Sequence, residues 1–346
     1  MLKIEPKYIV EAVSASSLEE LFPLVQNAIE LEHSTIPPYL TAMFSFKPNT
    51  GNEIRAIIHS IVIEEMLHMS IAANILNALG GRPLINDKSF IPEYPTPLPM
   101  GIGSSEGLIV GLNPFSINIV QSIFMEIEEP ENPIPPTLML AAEASPEYAT
   151  IGQFYMTLSD KIQHLAPDNL PGDPAKQVTS NFFSSSELFP ILTKEDAVNA
   201  INIIVEQGEG TTHSPLDPEK ELAHYYKFAE IVAGKKAVVR NDGSYSFSGD
   251  PIPFDPNDVY PVYSNTKAKM LIPGTEERRR VDEFNNAYSS LLNGLHRTFN
   301  GEPGYLDNTI GVMFDLKLLS EKLNATPFPG QQGYTIGAPY EWFPQP

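Results

Sequence analysis

From Ile54 to Leu79 one line of positions recurs at alternating steps of four and three: Ile54, Ile58, Ile61, Glu65, His68, Ala72, Ile75 and Leu79. That spacing keeps a single helix face turned toward a neighbouring helix. It predicts a helix over about 52–79, closed by Gly80-Gly81 with Pro83 beyond. A first helix is expected from about Leu18 to His33, with Ser16 and Ser17 each three residues before a glutamate and Pro37-Pro38 ending or kinking it. Ser145-Pro146 predicts the start of a third helix running to Leu165. Thr193, with Asp196 three residues on, caps a fourth that reaches Gln207. Asp217-Pro218 opens a further helical run to Ala233, and two more are expected at about 276–299 and 303–323.

Between these lie turn-rich stretches. Residues 83–145 are expected to form an irregular excursion with two brief strands, 166–192 a loop, and 235–275 a connection with a hairpin around NDGSYSF. The division expected is a helical bundle over 1–234, with insertions at 83–145 and 166–192. Residues 235–346 would then form a loop-rich connection and two C-terminal helices packed on the bundle. The fold class is mainly α.

The bundle stripes carry ionisable groups. Glu65 and His68 sit on the aliphatic seam of the second helix, while Glu64 falls beside Ser60 and Leu67, off it. Glu32 continues the inward line Leu21, Val25, Ala28 or Ile29 of the first helix, whereas Glu30 lies on its polar side. In the fourth helix Val198, Ile201 and Val205 lead to Glu209, and Glu206 falls on the Asn199–Asn202 side. Glu221 and His224 repeat the Glu-x-x-His spacing on a face with Phe228 and Ile231. The third helix has no mid-length carboxylate on its stripe; Glu147 extends that stripe backward, and Gln153 lies off it. An unpaired carboxylate in a core costs several kcal/mol, so these acids call for a cation. Two Glu-x-x-His pairs and a further inward Glu on separate helices match the ligand pattern of carboxylate metal bundles. Taken singly, each has a blander explanation: a surface pair, a capping group or a helix end.

Composition narrows the chemistry. The chain has 346 residues, no cysteine, and 43 acids against 22 bases, a net charge of −21. Thiolate zinc sites, disulfides and thiol nucleophiles are excluded, so any metal takes nitrogen and oxygen donors. A nucleic-acid partner is not expected of so acidic a chain, Arg278-Arg279-Arg280 following Glu276-Glu277 as a solvated helix start. No apolar run approaches ~20 residues and no signal-peptide pattern opens the chain, so a cytoplasmic protein without a membrane partner is expected.

The ordered motifs ELEHSTIPPYLTAMFS, IVIEEMLHMSIAANILNALGGRP, EEPENP, TIGQFY, IVEQGEGT and ELAHYYKFAEI resemble the ferritin-like domain of the iminophenyl-pyruvate dimer synthase family. They span about residues 18–233. The resemblance implies a ferritin-like four-helix bundle with Glu32, Glu65, His68, Glu209 and His224 as metal ligands. It implies one or two metal ions, iron foremost, with manganese and zinc also accepting this donor set. The activity implied is an oxidoreductase acting on an amino-acid-derived imine or related small molecule in secondary metabolism. The catalytic residues stay open, with Glu206, Glu221 and Glu147 as second-rank acids, of which one such as Glu206 could move protons. A homo-oligomer is compatible with this. Two alternatives stand beside it, a ferritin-like iron-binding ferroxidase and a metal-free helical scaffold with a salt-bridged core.

Overall fold

A computed structural model of the protein describes residues 3–130, 150–210 and 214–344, with the side chains of residues 209 and 307 outside that description. Its helices in chain order are α1 (Pro6–Ser14), α2 (Phe22–Phe44), α3 (Asn52–Ala78), α4 (Ile117–Ile127), α5 (Ile151–Leu165), α6 (Lys194–Glu209), α7 (His224–Ala233), α8 (Glu276–Phe299) and α9 (Leu306–Asn324). A two-stranded antiparallel hairpin, β1 (Val238–Val239) with β2 (Tyr245–Ser246), stands where the NDGSYSF signal placed it. The mainly α fold is as expected, with α2, α3, α5 and α6 as the four long bundle helices.

Helix α3 follows its sequence signal closely. Gly51 begins it in the left-handed region at φ +58°, where a Cβ would strike the Phe46 ring at 2.3 Å. Gly80 and Gly81 end it by donating to the carbonyls of Asn77 and Leu76 at 3.1 and 2.9 Å. By length and composition α3 passes as a membrane span, which the run of apolar residues did not suggest; 67% of its most apolar window is buried within the protein.

Helix α2 departs from expectation. It runs through Pro37-Pro38 to Phe44 rather than stopping near His33. Proline supplies no N–H to the carbonyl four residues earlier. The Ser34 carbonyl left open by Pro38 instead accepts the Tyr94 hydroxyl at 2.6 Å, and the Thr41 hydroxyl donates to the Pro37 carbonyl at 2.7 Å. A partner from the 83–115 excursion thus carries the helix across its two breakers.

Three other boundaries differ. Helix α1, opened by Pro6, precedes the first helix predicted. Within the 83–145 excursion, residues 117–127 are helical, with a π-helical stretch at Val120–Phe124, while Thr96 and Val110 form a single bridge in place of strands. Helix α7 begins at His224, not near Asp217, because Asp217 closes a turn on the backbone N–H of Glu221 at 2.8 Å and Lys220 takes φ +68°. Helix α5 is capped by Thr150 and Gln153 in a reciprocal box, and α6 by Thr193 and Asp196. Ser145-Pro146, the start predicted for the third helix, lies outside the described residues.

The C-terminal hairpin of α8 and α9 packs on the bundle through buried side chains. Asn77 donates to the Phe299 carbonyl and Asn324 to the Phe44 carbonyl, both at 2.8 Å. Tyr288 and His33 meet at 2.8 Å. Gly294 lets α9 approach α8 closely, since a Cβ there would meet the Thr309 hydroxyl at 2.7 Å.

Candidate metal centre

The inward faces of α2, α3 and α5, the last turn of α6, the first residue of α7 and the end of α4 converge on one small cavity of about 70 Å³. Glu32, Glu65 and His68 each place a donor atom there, all within 4.8 Å of one another, and Glu65, Glu128 and His224 do the same. Glu65 belongs to both trios. None of Glu32, Glu65, His68 or His224 exceeds 6% exposure, so water does little to screen their charges.

The two imidazoles are arranged alike. His68 turns Nδ1 toward Glu32 at 3.5 Å and Nε2 to the Gln207 amide oxygen at 2.8 Å. His224 turns Nδ1 toward Glu65 at 2.9 Å and Glu128 at 3.3 Å, and Nε2 to Glu64 at 2.8 Å. In each case the nitrogen away from the centre is held by an oxygen, which fixes the ring and leaves Nδ1 for a cation. The rings stack at 5.5 Å.

The carboxylates are held as well. Tyr155 on α5 donates to Glu32, and Tyr39 on α2 donates to Glu128. Thr35 donates to Glu65 at 3.0 Å. Glu128 is brought in by the π-helical stretch of α4, whose Phe124 packs against Tyr39 at 4.6 Å and Phe228 at 5.4 Å. Glu64, one residue off the seam, reaches the Lys227 ammonium at 2.6 Å as well as His224.

The electrostatics fit a cation. Burial pushes Glu65 up to about 7, and the charge on Glu128 adds to it. Burial opposes ionisation of Glu32 too, but His68 and the Tyr155 hydroxyl outweigh it and hold that carboxyl below its usual range. Against the penalty of burial, Glu128, Glu64 and Glu65 hold His224 well above the normal imidazole range. The raised Glu65 carboxyl and the raised imidazoles are what a buried cluster of acids short of positive charge produces, and a cation would supply that charge. Glu65, shared by the two Glu/His trios, would help to hold whatever cation either trio takes, and imidazole with carboxylate suits iron, manganese or zinc.

Of the residues singled out in the sequence, Glu32, Glu65, His68 and His224 come together. Glu147 and the Glu209 side chain lie outside the described residues. Glu221 does not join: it precedes α7 instead of sharing its face, stands exposed, and approaches Lys227 only at 3.7 Å. Glu206 is part-buried and feels Glu219; its neighbour Gln207 takes the inward position. Gln153 is occupied in the α5 cap. Among the described residues the third bundle helix brings no carboxylate to the centre, its Asp160 standing exposed beside His164, and it supplies Tyr155 instead. Sequence reasoning missed Glu128, although it heads the quoted EEPENP motif and follows apolar residues at helical spacing from Ile117 to Ile127. Glu64, Gln207, Tyr39 and Tyr155 were missed as supports, since only tertiary packing brings them to the centre.

Comparison with known proteins agrees with the fold. A crystal structure of a ferritin-like protein from Caulobacter vibrioides superposes with a TM-score of 0.59 at 24% identity, covering 89% of this chain and 96% of that one. Dichlorochromopyrrolate synthase of Lentzea aerocolonigenes is 22% identical over 98% of this chain, which spans 37% of that protein's length. Residues 25–233 match the family described as Ferritin-like, and the chain belongs to that family.

Proposed function

We propose that the protein is a metal-dependent oxidoreductase that binds one or two iron ions at the centre shared through Glu65, and that it acts on an amino-acid-derived imine or a related small molecule. The observation that carries this is the presence of Glu65 in two buried Glu/His trios, each backed by oriented supports. The distant relative named dichlorochromopyrrolate synthase supports a biosynthetic substrate over iron storage. A redox-active ion, when bound, supplies electron transfer and an acid centre for substrate or oxygen.

The chain's own residues have defined tasks around it. Glu32, Glu65 and His68 on one side and Glu65, Glu128 and His224 on the other would hold the metal. Gln207 and Glu64 fix the imidazoles, while Tyr155 and Tyr39 fix the outer carboxylates and offer hydroxyl protons beside them. Lys227 balances Glu64, so that Glu64 remains an acceptor for the His224 N–H. Leu31, Ile127, Ile151 and Ile204 line the cavity and limit water within it.

The test combines metal analysis with turnover. The purified chain should carry iron, and it should consume oxygen when supplied with a freshly generated imine of an aromatic 2-keto acid. Both signals should vanish together in Glu65→Ala. Iron without imine-dependent oxygen uptake would overturn the substrate assignment, and a metal-free protein that turns over the imine would overturn the metal assignment.

A further inference from the structure

The α2–α3 hairpin has a second face, turned toward α8 and α9, and it opens on a much larger space. A cleft of about 680 Å³ lies there, nearly ten times the volume at the candidate metal centre. It falls in the range of about 300–1,000 Å³ typical of small-molecule sites, well beyond the voids that close-packed interiors tolerate. Its walls are aliphatic, aromatic and thioether groups, among them Ile63, Met66 and Met69 of α3 and Leu291, Leu295 and Met313 from the C-terminal hairpin. Methionines adapt their shape to an apolar guest.

Three basic groups of this cleft are gathered together. Arg55 and His59 stand one turn apart on α3, and Lys317 faces them from α9. Three basic side chains at one cleft are unusual in a chain with 43 acids and 22 bases. Their acidic partners are few: Arg55 reaches Glu321 only at 3.6 Å, and Lys317 makes no ion pair among the described residues. Burial and then the Lys317 charge oppose protonation of His59, so the cluster repels itself as it stands. An anion placed there would relieve that repulsion. Farther along the wall, His33 is buried with its Nδ1 unpartnered among the described residues, so the protein alone does not complete the lining.

We propose that the cleft between the α2–α3 and α8–α9 hairpins is a second ligand site that takes an amphipathic monocarboxylate of fatty-acid size, its apolar body along the methionine wall and its carboxylate at Arg55, His59 and Lys317. The site is separate from the metal centre. His33 neighbours Glu32, and Met66 and Met69 neighbour Glu65 and His68, yet they line different cavities on opposite faces of the same two helices.

Equilibrium dialysis of radiolabelled laurate against the full chain tests this, with dodecylammonium as the head-group control. The expected result is saturable binding of one laurate per chain and little uptake of dodecylammonium. Lys317→Gln should weaken laurate binding roughly tenfold, the loss of one charge-assisted contact. Ala56→Trp, at an exposed cleft position, should abolish it. Thermal melting and metal content like those of the unsubstituted chain would show that both variants are folded. The proposal is overturned by the absence of saturable binding, by equal uptake of dodecylammonium, or by laurate binding that survives both substitutions. Sedimentation showing a dimer that excludes laurate would assign the cleft to a second copy of the chain and overturn it equally.

Discussion

Toward α5, α6 and α7 the α2–α3 hairpin presents Glu32, Glu65 and His68; toward α8 and α9 it presents His33, Val62, Met66 and Met69. The first face is crowded, with about 70 Å³ left open and each of its carboxylates and imidazoles bonded to a named partner. The second leaves about 680 Å³ between hairpins that are joined around it by shared apolar core and a few hydrogen-bonded side chains. The difference follows from what each face must satisfy. A buried carboxylate without a partner costs more than a core can spare, so the polar face is closed until its donors and acceptors are matched. An apolar wall makes no such demand and can remain open for a guest.

The hardest test of this contrast is Glu65→Ala. Because Glu65 serves both trios, bound metal should fall to less than about a tenth of the unsubstituted level by elemental analysis, while laurate binding on the other face persists. Unchanged metal content would break the comparison at its centre. Glu128→Ala removes one trio only and should leave about half the metal. A loss as complete as that of Glu65→Ala would show one site in place of two.

Smaller effects sharpen the picture. Gln207→Leu leaves every proposed ligand in place but frees the His68 ring, and metal affinity in a competition titration should drop by about tenfold or somewhat more. Tyr94→Phe touches neither face. It orphans the Ser34 carbonyl and should cost about 1–3 kcal/mol in denaturant unfolding, with metal content unaltered.

Legibility from sequence divided along similar lines. Helix α3, the apolar stripe of α5 to Leu165, the capped helix α6, the β1–β2 hairpin and α8 were readable because their signals are local: a stripe, a cap, a turn; the Thr150–Gln153 cap of α5 was not read. Glu65 and His68 were readable for the same reason, since charge on an aliphatic seam is conspicuous. Pro37-Pro38 misled because the group that rescues α2 lies on Tyr94, beyond the reach of any local rule. Glu221 misled because Glu-x-x-His spacing means a shared face only inside a helix, and the Asp217 turn delays α7 until His224. Glu128 was hidden in a proline-rich stretch whose helical segment is short and partly π. Gln207 and Glu64 lie off the apolar stripes, and nothing but the packed structure shows that they steer the histidines.

The proline pair in α2 also bears on how the chain reaches this state. A helix of this kind usually closes its own hydrogen bonds as it grows, at nanoseconds per residue. Helix α2 cannot, because the Ser34 carbonyl awaits a hydroxyl sixty positions downstream. Its upper half therefore gains its full stability only after the excursion has docked, which raises the sequence separation of contacts that matter early. Trimming the 83–115 excursion as a dispensable surface insertion would leave α2 frayed above His33, and Tyr39 with it.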